Sequence, residues 1–249
     1  MKSKRKERRL VIVPAFNEEG RIARVLEKIR EADKEADIVV IDDGSTDKTG
    51  IKSKAAGARV VRLSSNMGYG VAIQTGYKFA LERGYDYIVQ LDSDGQHDPD
   101  YLPKMFPEIL SGNADLVIGS RFLKGMSSVK VSEMGYRVSP ARKLGISLFA
   151  FIVSKFIGFK ITDPTSGYRA LNNQIITFLA NDFFPYDYPD ADVVILAHRA
   201  GFKIKEIPMI MHDRSSGKSM HSGLKPVYYI FKMFLSMLMT FLRKKPSLS

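Results

Sequence analysis

Tyr87-Ile88-Val89-Gln90-Leu91-Asp92-Ser93-Asp94-Gly95-Gln96-His97 is the stretch on which the reading of this chain turns. The apolar run Tyr87–Leu91 has strand character and stops abruptly at two carboxylates. Alternating strand geometry sends Asp92 and Asp94 the same way, towards one ligand. Two neighbouring carboxylates repel unless a cation lies between them, and hard oxygen donors suit Mg2+ or Mn2+. Such an ion would also grip a diphosphate. Gln96 can add a neutral carbonyl oxygen, and His97 reads as a supporting or structural group. A lone Asp-x-Asp is more often a turn or a helix cap; the strand before it gives this one its meaning.

The pattern repeats outward from that stretch. Leu10–Phe16 is a short apolar run ending at Asn17-Glu18, and Ile38–Ile41 is a second, stopped by Asp42-Asp43-Gly44-Ser45. Val60–Leu63 reads as a third strand, and Leu116–Ile118 as a fifth, leading into Gly119-Ser120-Arg121. Between them, Ile22, Val25, Leu26 and Ile29 recur at helical spacing, Tyr69–Arg83 reads as a helix, and Asp98-Pro99 caps the start of another. Apolar strands alternating with amphipathic helices predict an α/β fold, a mostly parallel sheet covered on both faces. Ligands bind beyond the carboxyl ends of such strands. Four strand ends therefore aim Asn17 and Glu18, Asp42 and Asp43, Asp92 and Asp94, and Arg121 at one crevice. Phe16 on that rim can stack on a nucleobase, and one of Asp42 and Asp43 can accept hydrogen bonds from a base or ribose. Ser45, Thr46 and Asp47 read as turn and capping residues.

With 249 residues, the chain is one large domain or a domain plus an appendage. Hydrophobic residues at 45% and charged residues at 26% exclude a disordered chain, a collagen-like fibre and a polytopic membrane protein. The absence of cysteine excludes a disulfide framework, a thiolate zinc site, an iron–sulfur cluster and a cysteine nucleophile. His97, His198, His212 and His221 form no i, i+4 pair, so carboxylates are the expected metal ligands.

The formal charge of +11 is concentrated at the ends, with Lys2, Lys4, Arg5, Lys6, Arg8 and Arg9 at one and Arg243, Lys244 and Lys245 at the other. Each end alone reads as a solvated tail; together they can lie against an anionic surface. No apolar stretch long enough for a cleavable signal follows the basic start, so a cytosolic location is expected. After Arg121 the texture becomes apolar. Leu144–Phe159 suits an interfacial helix and a core helix equally. Val227–Leu242 would reach only about 24 Å as a helix, short of a ~30 Å hydrocarbon core. Lys225, Tyr229, Lys232, Ser236, Thr240 and Arg243 put a narrow polar stripe along it, as expected of a helix lying in the membrane interface.

Six motifs in order carry a resemblance: Val13-Pro14-Ala15-Phe16-Asn17-Glu18, Asp42-Asp43-Gly44-Ser45, Asp92–His97, Gly119-Ser120-Arg121, Asp163-Pro164-Thr165-Ser166-Gly167-Tyr168-Arg169 and Arg214-Ser215-Ser216-Gly217-Lys218-Ser219. From Leu10 to Ser219 the chain resembles glycosyltransferase family 2, within it the dolichol-phosphate mannosyltransferase type. The resemblance implies a GT-A (Rossmann-like) fold, a divalent cation (Mg2+ or Mn2+) and a nucleotide-sugar donor. GDP-mannose comes first, UDP-glucose next and UDP-linked N-acetyl sugars further back. It also implies a dolichyl or polyprenyl phosphate acceptor at the cytoplasmic face of a membrane, with a separate membrane subunit as an optional partner.

By that resemblance, Pro14, Phe16, Glu18 and Asp42 or Asp43 meet the nucleoside, while Asp92, Asp94 and Gln96 hold the metal and donor diphosphate. Phe16 stands where such mannosyltransferases often carry tyrosine. Arg121 and Arg214 meet phosphates, assisted by Lys218. Arg137, Arg142, Ser166 and Arg169 are candidates for the acceptor phosphate, and Lys143 could help steer it. Asp163 is open between holding sugar hydroxyls, orienting an arginine and serving as a base. The chain then divides into a basic arm (1–9), a glycosyltransferase domain (10–222, with an interfacial helix near 140–159) and a C-terminal amphipathic helix and basic tail (223–249).

The expected chemistry is one in-line displacement that inverts the anomeric carbon. A phosphate acceptor is already an anion and needs no strong base, so catalysis is positioning and electrostatics by Asp94, Asp163, Arg121 and Arg214. Two alternatives stand beside this reading: a family 2 enzyme with a glycan acceptor, and a non-catalytic adaptor on membrane or nucleic acid. Acidic motifs and the lack of interleaved aromatic and basic residues argue against nucleic acid.

Overall fold

The structure, a computed structural model, describes residues 7–123, 140–181, 184–185, 189–212 and 225–243. Strands β1 (Arg9–Ala15), β2 (Asp37–Asp42), β3 (Arg59–Arg62), β4 (Tyr87–Gln90) and β5 (Leu116–Ser120) form where the apolar runs predict them, within a residue or two. Helices α1 (Ile22–Ala32), α2 (Thr49–Ala55), α3 (Tyr69–Glu82) and α4 (Leu102–Leu110) alternate with them, and Asp98 caps the turn ahead of α4 through the Asp100 amide. Arg9, counted with the basic arm in the sequence reading, is the first residue of β1 and pairs with Asp33 at 3.1 Å.

Both faces of the sheet are covered. On one, Val11, Val13, Val40, Val89 and Val117 meet α1 and α4. On the other, Leu10, Ile12, Val39, Ile88 and Leu116 meet α3, α6 (Asn173–Leu179) and α7 (Ala191–Arg199). Central parallel strands are apolar throughout for that reason. Gly76 lets α3 approach the sheet closely, since a Cβ there would come within 2.5 Å of Ile12.

The seven strands run β3-β2-β1-β4-β6-β5-β7. β6 (Arg169–Asn172) is antiparallel to both neighbours, and β7 (Ile204–Pro208) is parallel to β5. Neither was read from the sequence, because four or five residues including Arg169, Lys205 and Glu206 do not make an apolar run. The insertion of β6 sets Arg169 opposite Gln90, so the 163–168 loop enters the sheet beside the carboxyl end of β4.

Helices α5 (Pro140–Ile157) and α8 (Lys225–Leu242) cover the far end. Phe149 meets Phe234 at 5.6 Å and Phe156 meets Phe241 at 4.8 Å, a spacing of seven residues on each helix, so the two run side by side and parallel. Phe149, Val153, Ile157, Met233 and Met237 face the core, whereas Leu144, Leu148, Phe151, Leu235, Leu238, Met239 and Leu242 face outward. The middle of the polar stripe of α8 turns inward, where Thr240 is buried and Ser236 donates to Asp192 of α7, while Lys232 is half-buried and Arg243 exposed. Arg199 of α7 donates to the carbonyls of Phe241 and Arg243, which closes the end of α8. No described helix is long and apolar enough to cross a membrane.

Burial raises the Asp192 carboxyl from its ordinary 3.8 to about 6. A raised folded-state value means the native form binds the proton more tightly, so the ionised group costs stability above pH 6 and the cost disappears below about pH 4. Wild-type stability should therefore fall by up to about 3 kcal/mol from this site as pH rises from 4 to 6, and Asp192→Asn should flatten that difference. Urea unfolding of both proteins across that range measures it.

Candidate active site

The loop after β1 is fastened to the loop after β2. Asn17 takes a left-handed conformation (φ 55°), donates its amide to Ser45 Oγ at 3.0 Å and accepts the Thr46 amide at 2.8 Å. The Glu18 amide donates to Thr49 Oγ1 at 2.7 Å, and the buried Glu18 carboxylate pairs with Arg21 at 2.6 Å. These bonds leave Phe16 standing out from the rim, 43% exposed.

Asp42 and Asp43 have different jobs. Asp42 is fully enclosed: Oδ1 accepts the Ser45 amide at 2.9 Å, while Oδ2 has no hydrogen-bond donor among the described residues, with Arg62 Nη1 3.8 Å away. Asp43 accepts the amides of Met67 at 2.7 Å and Gly68 at 2.9 Å, one on each oxygen, and so fixes the entry to α3.

At the end of β4, the Asp92 amide donates to His97 Nδ1 at 3.0 Å. That bond requires the imidazole proton on Nε2, so His97 is a neutral acceptor, buried and stacked on Tyr168 at 5.2 Å. Asp92 Oδ1 accepts from the Tyr69 hydroxyl at 2.9 Å. Burial, then the Asp92 charge, push the Tyr69 phenol well above its ordinary range, so it remains a donor. Asp94 Oδ1 accepts the Gln96 amide at 3.0 Å, which closes the turn through Gly95 at φ 77°. The Gln96 carbonyl accepts the His212 amide at 2.8 Å, and His97 bridges to Met211. The acidic turn is thereby tied to the segment leading into residues 213–220. Arg214, Lys218 and Arg137, and the side chain of Arg142, lie outside the described residues.

No group of three or more Asp, Glu, His or Cys arranged for a metal occurs among the described residues. The set on offer is two carboxylates and an amide, and the Asp92 side chain is one-third exposed. Hard oxygen donors of that number fit a cation such as Mg2+ that keeps waters and takes substrate phosphates as its remaining ligands.

The end of β5 holds an ion pair. Arg121 donates bidentately to Asp163, Nε to Oδ2 at 2.5 Å and Nη2 to Oδ1 at 2.6 Å, and Nη2 reaches Thr165 at 3.1 Å. Of the three roles open to Asp163, orienting an arginine is the one with a partner in place here. Glu206 of β7 supports the pair by accepting the amides of Asp163 and Thr162, both at 2.8 Å, and burial raises the pKa of its carboxyl. Two expectations are corrected. Arg169 does not face an acceptor phosphate: it is 1% exposed and its guanidinium donates to the carbonyls of Ser166, Pro164, Pro189 and Asp190 at 2.8–3.1 Å. Ser166 is likewise buried, with Oγ accepting the Tyr168 amide at 3.3 Å. Sequence reasoning missed Tyr69 and Glu206, which look like ordinary residues of a helix and of a short polar strand.

A mostly parallel sheet with helices on both faces and acidic strand ends around one crevice is the arrangement of a GT-A glycosyltransferase. The chain belongs to glycosyl transferase family 2, whose model matches residues 10–177. It is 32% identical to polyprenol monophosphomannose synthase of Mycolicibacterium smegmatis over 91% of this chain and 86% of that protein. It is 34% identical to undecaprenyl-phosphate mannosyltransferase of Micrococcus luteus over 86% of this chain and 87% of that protein. Its fold is shared with glucosyl-3-phosphoglycerate synthase from Mycobacterium tuberculosis (TM-score 0.68, 21% identity, 94% of this chain and 80% of that one).

Asp163→Ala should destabilise the protein by about 3–5 kcal/mol, because it takes the carboxylate away from the buried Arg121 guanidinium. Replacing both partners by leucine should recover part of that loss. Guanidinium unfolding of the single and double variants measures the difference.

Proposed function

We propose that this chain transfers a sugar from a nucleotide-sugar to the phosphate of a polyprenyl or dolichyl chain, inverting the anomeric carbon at a membrane surface. The observation that carries the proposal is the pair Asp92 and Asp94 at the carboxyl edge of a GT-A sheet, in a chain whose α5 and α8 present an outward apolar face. The two mannosyltransferase relatives, each covering most of its length, support the acceptor class. Mannose from GDP-mannose is the first donor to test and glucose from UDP-glucose the second.

In this reading Pro14 and Phe16 form the base platform, with Glu18 holding that rim. One of Asp42 and Asp43 meets the nucleoside. Asp92, Asp94 and Gln96 would hold Mg2+ or Mn2+, which supplies positive charge to the departing diphosphate when bound. Asp163 fixes the guanidinium of Arg121 at the end of β5. Arg214 and Lys218 meet donor phosphates, and Arg137 and Arg142 meet the acceptor. A phosphate oxygen of the acceptor attacks the anomeric carbon as the bond from that carbon to the diphosphate oxygen breaks. No proton need be removed, so the protein supplies alignment and electrostatic stabilisation.

The occupant of the outward face of α5 and α8 is a lipid bilayer, in keeping with an acceptor whose isoprenoid tail stays in the membrane. Residues 10–222 are then the catalytic unit and 223–249 its C-terminal anchor, working at the cytoplasmic face. With Ser236 bonded to α7 and Thr240 buried, burying the apolar side in lipid strands neither hydroxyl.

Radiolabelled GDP-mannose and UDP-glucose, incubated with polyprenyl phosphate and Mn2+, test the reaction. Asp92→Ala or Asp94→Ala should lower transfer by at least ~100-fold, the scale of losing one stabiliser of transition-state charge, and EDTA should do the same reversibly. Full activity in EDTA overturns the metal assignment, and transfer only to a soluble glycan overturns the acceptor. Phe151→Glu combined with Leu238→Glu should reduce flotation with anionic vesicles while the melting temperature holds. Unchanged flotation removes the bilayer from the proposal.

A further inference from the structure

Asp92 is held on three sides, at its backbone and at its carboxylate, by groups that come from different parts of the chain. Its backbone amide is fixed by His97 Nδ1, and its Oδ1 by the Tyr69 hydroxyl at 2.9 Å. The third side is the bare backbone of Gly167: a Cβ there would lie 3.0 Å from Tyr69 Oη and 3.2 and 3.3 Å from the two Asp92 oxygens. Gly167 is itself tied down, since its carbonyl accepts from Gln90 Nε2 at 3.1 Å, and Gln90 Oε1 accepts from the Tyr77 hydroxyl. Tyr69 is anchored too. It is the first residue of α3, directly after the two amides that Asp43 holds.

We infer that Tyr69, with the side-chain-free backbone of Gly167 packed against it, is a positioning residue that sets the Asp92 carboxylate for cation binding. The inference rests on Asp92 being a metal ligand, as proposed above. A one-third-exposed aspartate left to itself samples several rotamers, and ordering it is a cost that cation binding must meet. Here the phenol occupies Oδ1 and leaves Oδ2 for the ion, so the ligand is ordered before the cation arrives. Partners of this kind behind a ligating carboxylate typically change metal affinity by about 10–100-fold. The link also joins the two ends of the crevice: Asp43 on the nucleoside side fixes 67–68, and the next residue fixes the metal side.

Mn2+ titrated into the full-length protein, alone, with UDP and with GDP, is followed by the electron paramagnetic resonance signal of the free ion. Tyr69→Phe removes only the hydroxyl and should weaken Mn2+ binding about 10-fold with the melting temperature little changed. Gly167→Ala should weaken it as well by crowding the carboxylate, and Asp92→Ala should abolish it. Both weaker affinities are required. If either variant binds Mn2+ as the unaltered protein does while Asp92→Ala loses it, the inference falls and the metal reading stands. If Asp92→Ala keeps full affinity, or the unaltered protein takes up no Mn2+ under any of the three conditions, both fall.

Discussion

Arg169 brings a permanent positive charge into the interior, and its hydrogen-bond partners among the described residues are four backbone carbonyls. A buried ion held this way is expensive to disturb, because each carbonyl that moves away leaves part of the charge uncompensated. The carbonyls of Pro164 and Ser166 belong to the loop that carries Asp163 and Gly167; those of Pro189 and Asp190 lie just ahead of α7. One guanidinium therefore fixes two loops at once, and both sides of the crevice inherit their geometry from it. On the sheet side, Gly167 is held against Asp92, and Asp163 is held under Arg121. On the other, α7 begins where it can present Asp192 to α8.

That second connection explains the orientation of the apolar helices. Ser236 reaches Asp192 only if the polar stripe of α8 faces the protein. Once it does, the residues between the stripe positions, Leu235, Leu238, Met239 and Leu242, must face outward. α5 continues the same surface with Leu144, Leu148 and Phe151, locked in register by the two phenylalanine pairs. An outward apolar face shared by adjacent helices is the kind of patch that serves as a contact surface. A sugar acceptor with a hydrocarbon tail and a phosphate head would be met by these two features together: an apolar platform and a crevice of strand ends.

Much of the site is built from side chains and loops held by backbone groups. Asp43 grips two amides, Asp94 grips one, His97 receives the Asp92 amide, and Asn17 is gripped by the loop after β2. Pre-arranged polar groups of this kind suit a displacement between two anions, in which little needs to move a proton and much needs to stay aligned.

Most of the framework was legible in the sequence. Apolar runs, three of them leading into acidic residues, gave the five strands β1 to β5, helical patterning gave α1 and α3, and the Asp98-Pro99 cap gave the start of α4, because central strands and amphipathic helices advertise burial through composition and period. The strand-end positions of Asp42, Asp43, Asp92, Asp94 and Arg121 followed from that alone. What the tertiary structure decided is which of those groups are spent and on what. Arg169 and Ser166 turned inward because an antiparallel strand of four residues, too short to leave a pattern, slots between β4 and β5. Tyr69 came to Asp92, and Glu206 to the Asp163 amide, across separations of 23 and 43 residues. Hydrogen bonds between distant segments have no period to betray them. The sequence by itself determined where polar chemistry collects, and only the folded chain decided which side chain points at a ligand and which at its neighbour.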